Sequence, residues 1–344
     1  MKNQVSSLDM RFAAAALRYG RRHEGLTNPN PCVSALVVVT INGCARIVGR
    51  GVTGIGGRPH AEVLALQQAG SKAKGATLYV TLEPCSHHGL TPPCTDAILA
   101  SGVARVVACT ADPDPRVSGT GFARLRAEGV ELSTPVLDTE ARRFHAGHIA
   151  AKTRHRPHVV LKMAVSANGM IGRKNSGQLA ITGPEAWTYV HGLRAVNDAI
   201  LVGVGTIISD DPSLTCRLPG LEGRSPQRVV LDSGNQIPEN AKVLTDKNGA
   251  DTQIFDQQSC ENILRSLWDQ GIKTVMIEGG ERVATAFLGA GLVDACHVLQ
   301  SGTMVIEDDG VPAPLDLMMD TVTFEQFDKR QFGDDQLKLL WRRD

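Results

Sequence analysis

Apolar positions in this chain alternate between helical and strand spacing, and the alternation itself outlines a fold. From Ser7 to about His23, Phe12, Ala15, Ala16 and Tyr19 fall on one side of an amphipathic helix. Ser34–Thr40 (SALVVVT) and Ala45–Gly51 read as the strands of a hairpin. Ala61–Ala69 reads as a helix, Thr77–Thr81 as a strand, and Thr95–Ala100 as a helix ended by Gly102. Arg105–Thr110, Phe122–Glu128 and Val130–Leu132 continue as strand, helix and short strand. This order predicts a mixed sheet with helices on both faces.

A second run of the same kind follows. His158–Val165 is a strand, Pro184–Ala195 a helix, and Ala199–Val204 and Arg228–Asp232 are strands. Helix Cys260–Gln270 leads to strand Thr274–Glu278, a Gly279-Gly280 break and helix Arg282–Ala290. Strands near His297–Val305 and Gln336–Trp341 close this part. Between the two runs, residues 138–158 hold a helix and the basic stretch KTRHRPH, which reads as a solvated linker, with an interdomain or phosphate contact as the alternative. A boundary near Thr153 gives two α/β domains, 1–150 and 151–344, as a chain of 344 residues favours.

Composition is that of an ordinary globular chain, 42% hydrophobic and 21% charged. No run of about eighteen apolar residues is present, so a membrane span is not expected. The opening MKNQVSSLDMRF lacks an apolar signal core, and a cytoplasmic protein is the expectation. Net charge is zero; residues 1–150 carry 16 Lys/Arg against 11 Asp/Glu, and the remainder 20 against 25. Neither half has the strongly basic face of a general nucleic-acid binder. Eight cysteines in a cytosolic chain of this size do not read as a disulfide framework. Cys109 and Cys296 lie among apolar residues and read as buried small hydrophobes.

His60-Ala61-Glu62, Pro84-Cys85 and Cys94 carry the clearest chemistry. One imidazole and two thiolates are zinc ligands, and three protein ligands leave a fourth position open. The order approximates the His-x-Glu … Pro-Cys-x-x-Cys signature of zinc nucleobase deaminases. Here eight residues, SHHGLTPP, separate the cysteines instead of two. Residues two apart on a helix point about 200° from each other, so His60 and Glu62 can share a site only at a helix start. Pro59 before His60, and Pro92-Pro93 before Cys94, suit two such starts. The positive end of a helix favours thiolate over thiol, which helps Cys94 and Cys85 to bind metal. In the second half, Gly279-Gly280 before a helix offers backbone N–H groups to phosphate oxygens. Arg194 and Arg217 carry forks suited to phosphate.

Around these residues longer stretches become specific. TNPNP (27–31), PHAEVLAL (59–66), GATLYVTLEPCSHHGLTPPCTDAI (75–98) and ADPDPRVSGTG (111–121) resemble the N-terminal half of the bifunctional riboflavin-biosynthesis deaminase/reductase family. LKMAVSANG (161–169), ITGPEA (181–186), LRAVNDAILVGVGTIISDDPSLTCR (193–217), VVLDS (229–233) and IEGGERVATAFL (277–288) resemble its reductase half. The resemblance implies a cytidine-deaminase-like three-layer α/β domain followed by a dihydrofolate-reductase-like domain. It makes His60, Cys85 and Cys94 ligands of Zn2+ and Glu62 the general acid/base. It places Asn30, His87, His88, Lys162, Gln178, Arg194, Leu214, Arg217 and Glu278 at substrate. It places Val165, Thr206, Asp210, Ser233, Gly280, Glu281, Arg282, Val283, Ala284, Thr285 and Ala286 at NADPH.

Four positions depart from the family's usual text. Ser166-Ala167-Asn168-Gly169 stands for Ser-Leu-Asp-Gly, and Ala180 stands where a Trp often precedes Ile-Thr. Leu90 stands where a basic residue often follows the zinc-loop His-His-Gly, and Asp114 stands for Asn. The expected protein deaminates a ribosylamino-pyrimidine phosphate and then reduces its ribosyl chain with NADPH. A small phosphorylated pyrimidine is its partner, not nucleic acid or membrane, and the reductase domain is expected to form a homo-oligomer. Two alternatives are a single-activity nucleobase deaminase with a non-catalytic reductase-like domain, and a zinc-stabilised scaffold or RNA-binding protein.

Overall fold

The computed structural model describes residues 5–174, 177, 179–246 and 251–343. The chain forms two compact units, Met1–His155 and Arg156–Asp344. Helix Ala146–Thr153 runs through residue 150, so the first unit closes a few residues later than 150.

The first unit is built on five strands: β1 (Ser34–Ile41), β2 (Cys44–Val52), β3 (Thr77–Val80), β4 (Arg105–Ala108) and β5 (Glu131–Ser133). Their order is β2-β1-β3-β4-β5. β1 pairs antiparallel with β2 and β3, and β3, β4 and β5 run parallel. Alternation along β1 splits its side chains between two cores. Leu36 and Val38 pack with Phe12, Ala13 and Ala16 of helix Ser7–Gly20. Ala35 and Val37 pack on the other face with Ala61, Ala65, Ile98 and Phe122. Helices therefore cover both faces, and the unit is a three-layer α/β domain. Gly51 of β2 lies so close to helix Ala61–Ala69 that a Cβ there would sit 2.1 Å from the Ala61 carbonyl oxygen. Only glycine lets that helix lie against the strand.

Helix Ser7–Gly20 is fixed to the sheet by one carboxylate. Ser6 caps it in a capping box with Asp9. The buried Asp9 also accepts a hydrogen bond from Tyr79 Oη of β3 at 3.0 Å and takes Arg105 of β4 in a two-point pair at 2.9 and 3.0 Å. Burial alone would raise its pKa, but the bonds from Arg105 and Ser6 outweigh it and hold the group at about 2.

Among the described residues the second unit holds ten strands: β6 (His158–Val165), β7 (Met170–Arg173), β8 (Ala199–Gly203), β9 (Gln227–Leu231), β10 (Thr252–Phe255), β11 (Thr274–Ile277), β12 (Ala295–Gln300), β13 (Gly310–Pro312), β14 (Phe324–Phe332) and β15 (Asp335–Arg342). Eight form one sheet in the order β10-β9-β8-β11-β6-β12-β15-β14, and β7 pairs with β13. β10 through β12 are parallel, whereas β15 and β14 are antiparallel additions at one edge. Parallel strands covered on both faces are continuously apolar. Ala199–Val202 and Val275–Ile277 are accordingly buried at every position. β11 enters between β6 and β8 although four strands precede it after β6. Open α/β sheets bind ligands where strand order reverses in this way.

Among the segments that differ from the sequence expectation, two have a clear local cause. Val204 was expected to extend a strand but instead begins helix Val204–Asp210, because Gly203 takes the N-cap position. The strand expected to reach Val305 stops at Gln300, where Ser301 Oγ accepts the Met304 amide and turns the chain.

The Asp9 cluster predicts a pH-dependent stability. Its folded pKa, about 2, lies below the 3.8 of a free carboxyl, so its contribution is complete above pH 4 and fades as pH falls towards 2. Asp9→Asn should cost about 2 kcal/mol at pH 7 by denaturant unfolding, and clearly less at pH 2.5.

Candidate active sites

Two helix starts meet at the C-terminal ends of β3 and β4. His60 is the N-cap of helix Ala61–Ala69, with extended backbone (φ −72°, ψ 154°), and Glu62 lies in its first turn. Cys94 is the first residue of helix Cys94–Ser101, capped by Pro93. Cys85 follows β3 through Thr81–Pro84. The half-helical position of His60 resolves the facing problem: its ring and the Glu62 carboxyl approach one site from a single helix start.

The three donors converge. His60 Nδ1 lies 3.2 Å from Cys94 Sγ and 3.7 Å from Cys85 Sγ, and all three donor atoms lie within 4.8 Å of one another. A tetrahedral zinc with bonds of about 2.0 Å to nitrogen and 2.3 Å to sulfur needs donors about 3.5–3.8 Å apart. The set fits. The Cys94 backbone N–H donates to Cys85 Sγ at 3.3 Å, so the start of that helix faces the second thiolate directly. Hydrogen bonding from Cys94, helped by His60 and that N–H, brings the Cys85 thiol down to about 4 against the opposing effect of burial. Cys94 moves the other way, because it is the proton donor to Cys85 and is buried. A cation seated here takes the place of that shared proton.

Glu62 is 3% exposed and not among the converging donors. Burial and then the negative Cys85 raise its pKa to about 7. Asn30 Nδ2 lies 3.3 Å from His60 Nε2 and donates to the Gly57 carbonyl at 2.8 Å. Asn30 thus touches the far edge of the ligand ring. His87 and His88 lie on the loop between the cysteines; His88 is exposed, and His87 Nδ1 is buried without a hydrogen-bond partner.

Sequence reasoning passed over Glu83. Its buried carboxylate accepts the amides of Asp112, Gly119 and Phe122 at 3.3, 3.0 and 3.2 Å. It ties the 111–121 loop to the strand end that carries Cys85. A charged residue inside the otherwise apolar TLEP run was the available signal. Asp114, the departure from Asn, is neutralised by Arg116 at 2.6 Å and Lys152 at 3.0 Å.

In the second unit, a cleft of about 210 Å³, open to solvent, lies beside the ends of β6, β8 and β11. It brings together Lys162, Arg194, Thr206, Asp210, Leu214, Arg217, Glu278 and Gly280 of the expected residues. Glu278 is its electrostatic centre. Arg194 reaches it in a two-point pair at 2.7 and 3.1 Å, and Lys162 Nζ lies 3.6 Å away. Burial would raise the Glu278 pKa, but the two cations hold it at about 2. Burial lowers the Lys162 pKa, opposed by Glu278. Arg194 also donates to the Thr215 carbonyl at 3.0 Å, so the fork expected to meet phosphate is taken up by Glu278 and backbone. Arg217 is exposed, and among the described residues no carboxylate pairs with it. His191, which sequence reasoning missed, lines the cleft and accepts the Arg217 amide through Nδ1 at 3.2 Å.

Gly280 caps helix Glu281–Gly289. The Ala284 amide bonds to the Gly280 carbonyl at 3.1 Å, so the helix leaves the N–H groups of Glu281, Arg282 and Val283 unused by its ladder. Ala284, 0% exposed, faces the core. A Cβ on Gly279 would sit 2.7 Å from Val283 Cβ, so glycine is required for close approach of the helix start. Val165 is buried at the end of β6 and Ser233 is exposed after β9; neither lines the cleft. Gln178 lies outside the described residues. Asn168 bonds the Ile306 backbone in both directions, donating at 2.8 Å and accepting at 3.1 Å, which the usual Asp cannot do as a carboxylate.

Fold and site together define a zinc-dependent nucleobase-deaminase unit fused to a unit with a reductase-type cleft and helix start. The comparisons with known proteins agree. Residues 6–110 match the family model described as "Cytidine and deoxycytidylate deaminase zinc-binding region", and residues 157–335 match the "RibD C-terminal domain". The riboflavin biosynthesis protein RibD of Aquifex aeolicus (strain VF5) is 40% identical over 84% of this chain and 86% of its own. RibD of Escherichia coli (strain K12) is 37% identical over 83% and 85%. A crystal structure of a deaminase/reductase from Thermotoga maritima matches 98% of this chain and 99% of its own at 33% identity, with a TM-score of 0.85. The chain belongs to the RibD family of riboflavin biosynthesis proteins. It is a bifunctional deaminase and reductase; with both regions matched, that reading holds over a single-activity deaminase. The deaminase unit implies zinc and the reductase unit a nicotinamide cofactor. Among the described residues no helix is long and apolar enough to cross a membrane.

The ligand geometry separates two substitutions. Cys94→Ser should lower zinc per chain several-fold by elemental analysis, whereas Glu62→Gln should leave zinc content at the wild-type level. Zinc loss in the Glu62 variant would place that carboxylate among the ligands.

Proposed function

We propose that the first unit hydrolyses the 2-amino group of 2,5-diamino-6-ribosylamino-4(3H)-pyrimidinone 5′-phosphate. The second unit then reduces the ribosyl chain of the resulting 5-amino-6-(5-phosphoribosylamino)uracil to ribityl with NADPH. Support for the substrates comes from the Thermotoga maritima relative, whose printed name is diaminohydroxyphosphoribosylaminopyrimidine deaminase/5-amino-6-(5-phosphoribosylamino)uracil reductase. The observation that carries the deaminase half is the convergence of His60, Cys85 and Cys94 beside a buried carboxyl that is not a ligand.

His60, Cys85 and Cys94 would hold the zinc, which when bound supplies Lewis-acid activation of water. Glu62 acts as the proton carrier. It accepts a proton from the attacking water, delivers it to a ring nitrogen, and passes a second to the departing amine. Water and an amino group go in; a ring carbonyl and ammonia come out. Asn30, His87 and His88 line the pyrimidine side, and Asn30 steadies the His60 ring.

In the second unit, Gly280 and the first-turn amides through Val283 offer N–H groups to the cofactor's phosphates. Thr206 and Asp210 line the same cleft. NADPH supplies the hydride. Lys162, Glu278 and Arg194 form a charged wall against which the polar ribosyl chain is oriented, and Arg217 is open to its phosphate. The deaminase activity lies within residues 1–150 and the reductase within 151–344. The family resemblance also carries a homo-oligomer through the reductase unit and a cytoplasmic location.

Glu62→Gln separates the two chemistries. With the diaminopyrimidine phosphate it should release ammonia at least about 100-fold more slowly than wild type. With the aminouracil phosphate supplied directly, its NADPH oxidation should match wild type. Loss of both activities would refute two independent sites.

A further inference from the structure

Helix Pro184–Val196 turns one face to the cleft of the second unit. Trp187, His191 and Arg194 lie three or four residues apart on it, and all three line the cleft. The segment Thr215–Arg217 is stitched to this helix residue by residue. Arg194 Nη1 donates to the Thr215 carbonyl at 3.0 Å, Cys216 Sγ to the His191 carbonyl at 3.4 Å, and the Arg217 amide to His191 Nδ1 at 3.2 Å. The last bond sets the state of the imidazole. A ring nitrogen that accepts a backbone N–H carries no proton, so a neutral His191 has its proton on Nε2. Burial, and then the charges of Arg194 and Arg217, push its pKa down to about 4, so the ring is neutral near pH 7. Among the described residues Nε2 has no hydrogen-bond partner, and it is not one of the buried polar atoms left unpaired. It is therefore a donor open to the cleft.

The surroundings favour an anion as its acceptor. The charges of Arg194 and Arg217 act on the ring more strongly than the opposing carboxylate of Glu278. Arg217, joined to the ring through its amide, is exposed and lines the same cleft. An N–H donor beside an available guanidinium suits a group with several charged acceptor oxygens. We propose that His191 is a substrate-recognising residue of the reductase unit. Its Nε2–H donates to the 5′-phosphate of the aminouracil substrate, while its Nδ1 holds the backbone of Arg217, whose fork takes the same phosphate. This rests on the reductase reading above. The competing role is purely structural, with the ring anchoring Arg217 through Nδ1 and touching no ligand.

Asparagine and glutamine separate the two nitrogens. Asn sets an acceptor near Nδ1 and loses the outer donor, whereas Gln sets an amide N–H near Nε2. NADPH oxidation is measured with the aminouracil phosphate varied, with NADPH varied, and with the dephosphorylated aminouracil nucleoside as a competitive inhibitor. His191→Asn should raise KM for the aminouracil phosphate about ten- to hundred-fold with little change in kcat. It should leave KM for NADPH and the Ki of the nucleoside unchanged. His191→Gln should keep KM close to the wild-type value. An unchanged KM in the Asn variant, or an equal rise in both variants, overturns the proposal. So does a nucleoside Ki that rises as far as KM, or a KM that rises only for NADPH, which moves the phosphate to the cofactor. Wild-type protein that oxidises no NADPH with the aminouracil phosphate overturns the reductase reading itself.

Discussion

The first unit depends on two helices that begin at one point in space. His60 caps one and Cys94 opens the other, while Cys85 receives the N–H of the second helix. Helix starts concentrate unsatisfied N–H groups and partial positive charge, which stabilise thiolate and carboxylate next to them. The sheet makes this meeting possible. Gly51 lets the first helix lie flat against β2, and β3 delivers Cys85 at its carboxyl end. Glu83 fastens the neighbouring loop to the same strand end. The three donors are thus held close together by backbone packing.

The second unit uses a related device with a different charge balance. Gly279 brings a helix start against the sheet, and the strand ends form the cleft wall. Its fixed charge is the Lys162–Glu278–Arg194 cluster. Burying three ionised groups is costly, and removing one partner from such a cluster typically destabilises by about 3–5 kcal/mol. On the proposed reading, that cost suits a wall that must stay charged beside a polar ribosyl chain. Arg194 is fully engaged within the wall, so the charge offered to a ligand comes from Lys162 and Arg217.

Much of this was legible in the sequence, for identifiable reasons. Helix Ala61–Ala69 and strand His158–Val165 have the bounds their apolar spacing indicated, because each is a dense run with a clear start. The zinc ligands were readable because three scarce residue types occur in a fixed order with prolines before two of them. β14 (FEQFDKRQF) was not readable: it is a mostly exposed edge strand with charges along it. Helix Val204–Asp210 (VGTIISD) was hidden in an apolar stretch that suits strand equally well. The engagement of Arg194 by Glu278 joins residues 84 apart in sequence, beyond any local pattern.

The central claim is an order of events: deamination in one unit supplies what the other reduces. A single reaction containing the diaminopyrimidine phosphate and NADPH, followed for ammonia and for NADPH together, tests it directly. The account predicts that ammonia appears first and that NADPH oxidation follows after a lag, converging on one NADPH per ammonia. With the zinc site disabled by Cys94→Ser, NADPH oxidation should stall with ammonia release. NADPH consumed from the diaminopyrimidine phosphate without ammonia would contradict the account.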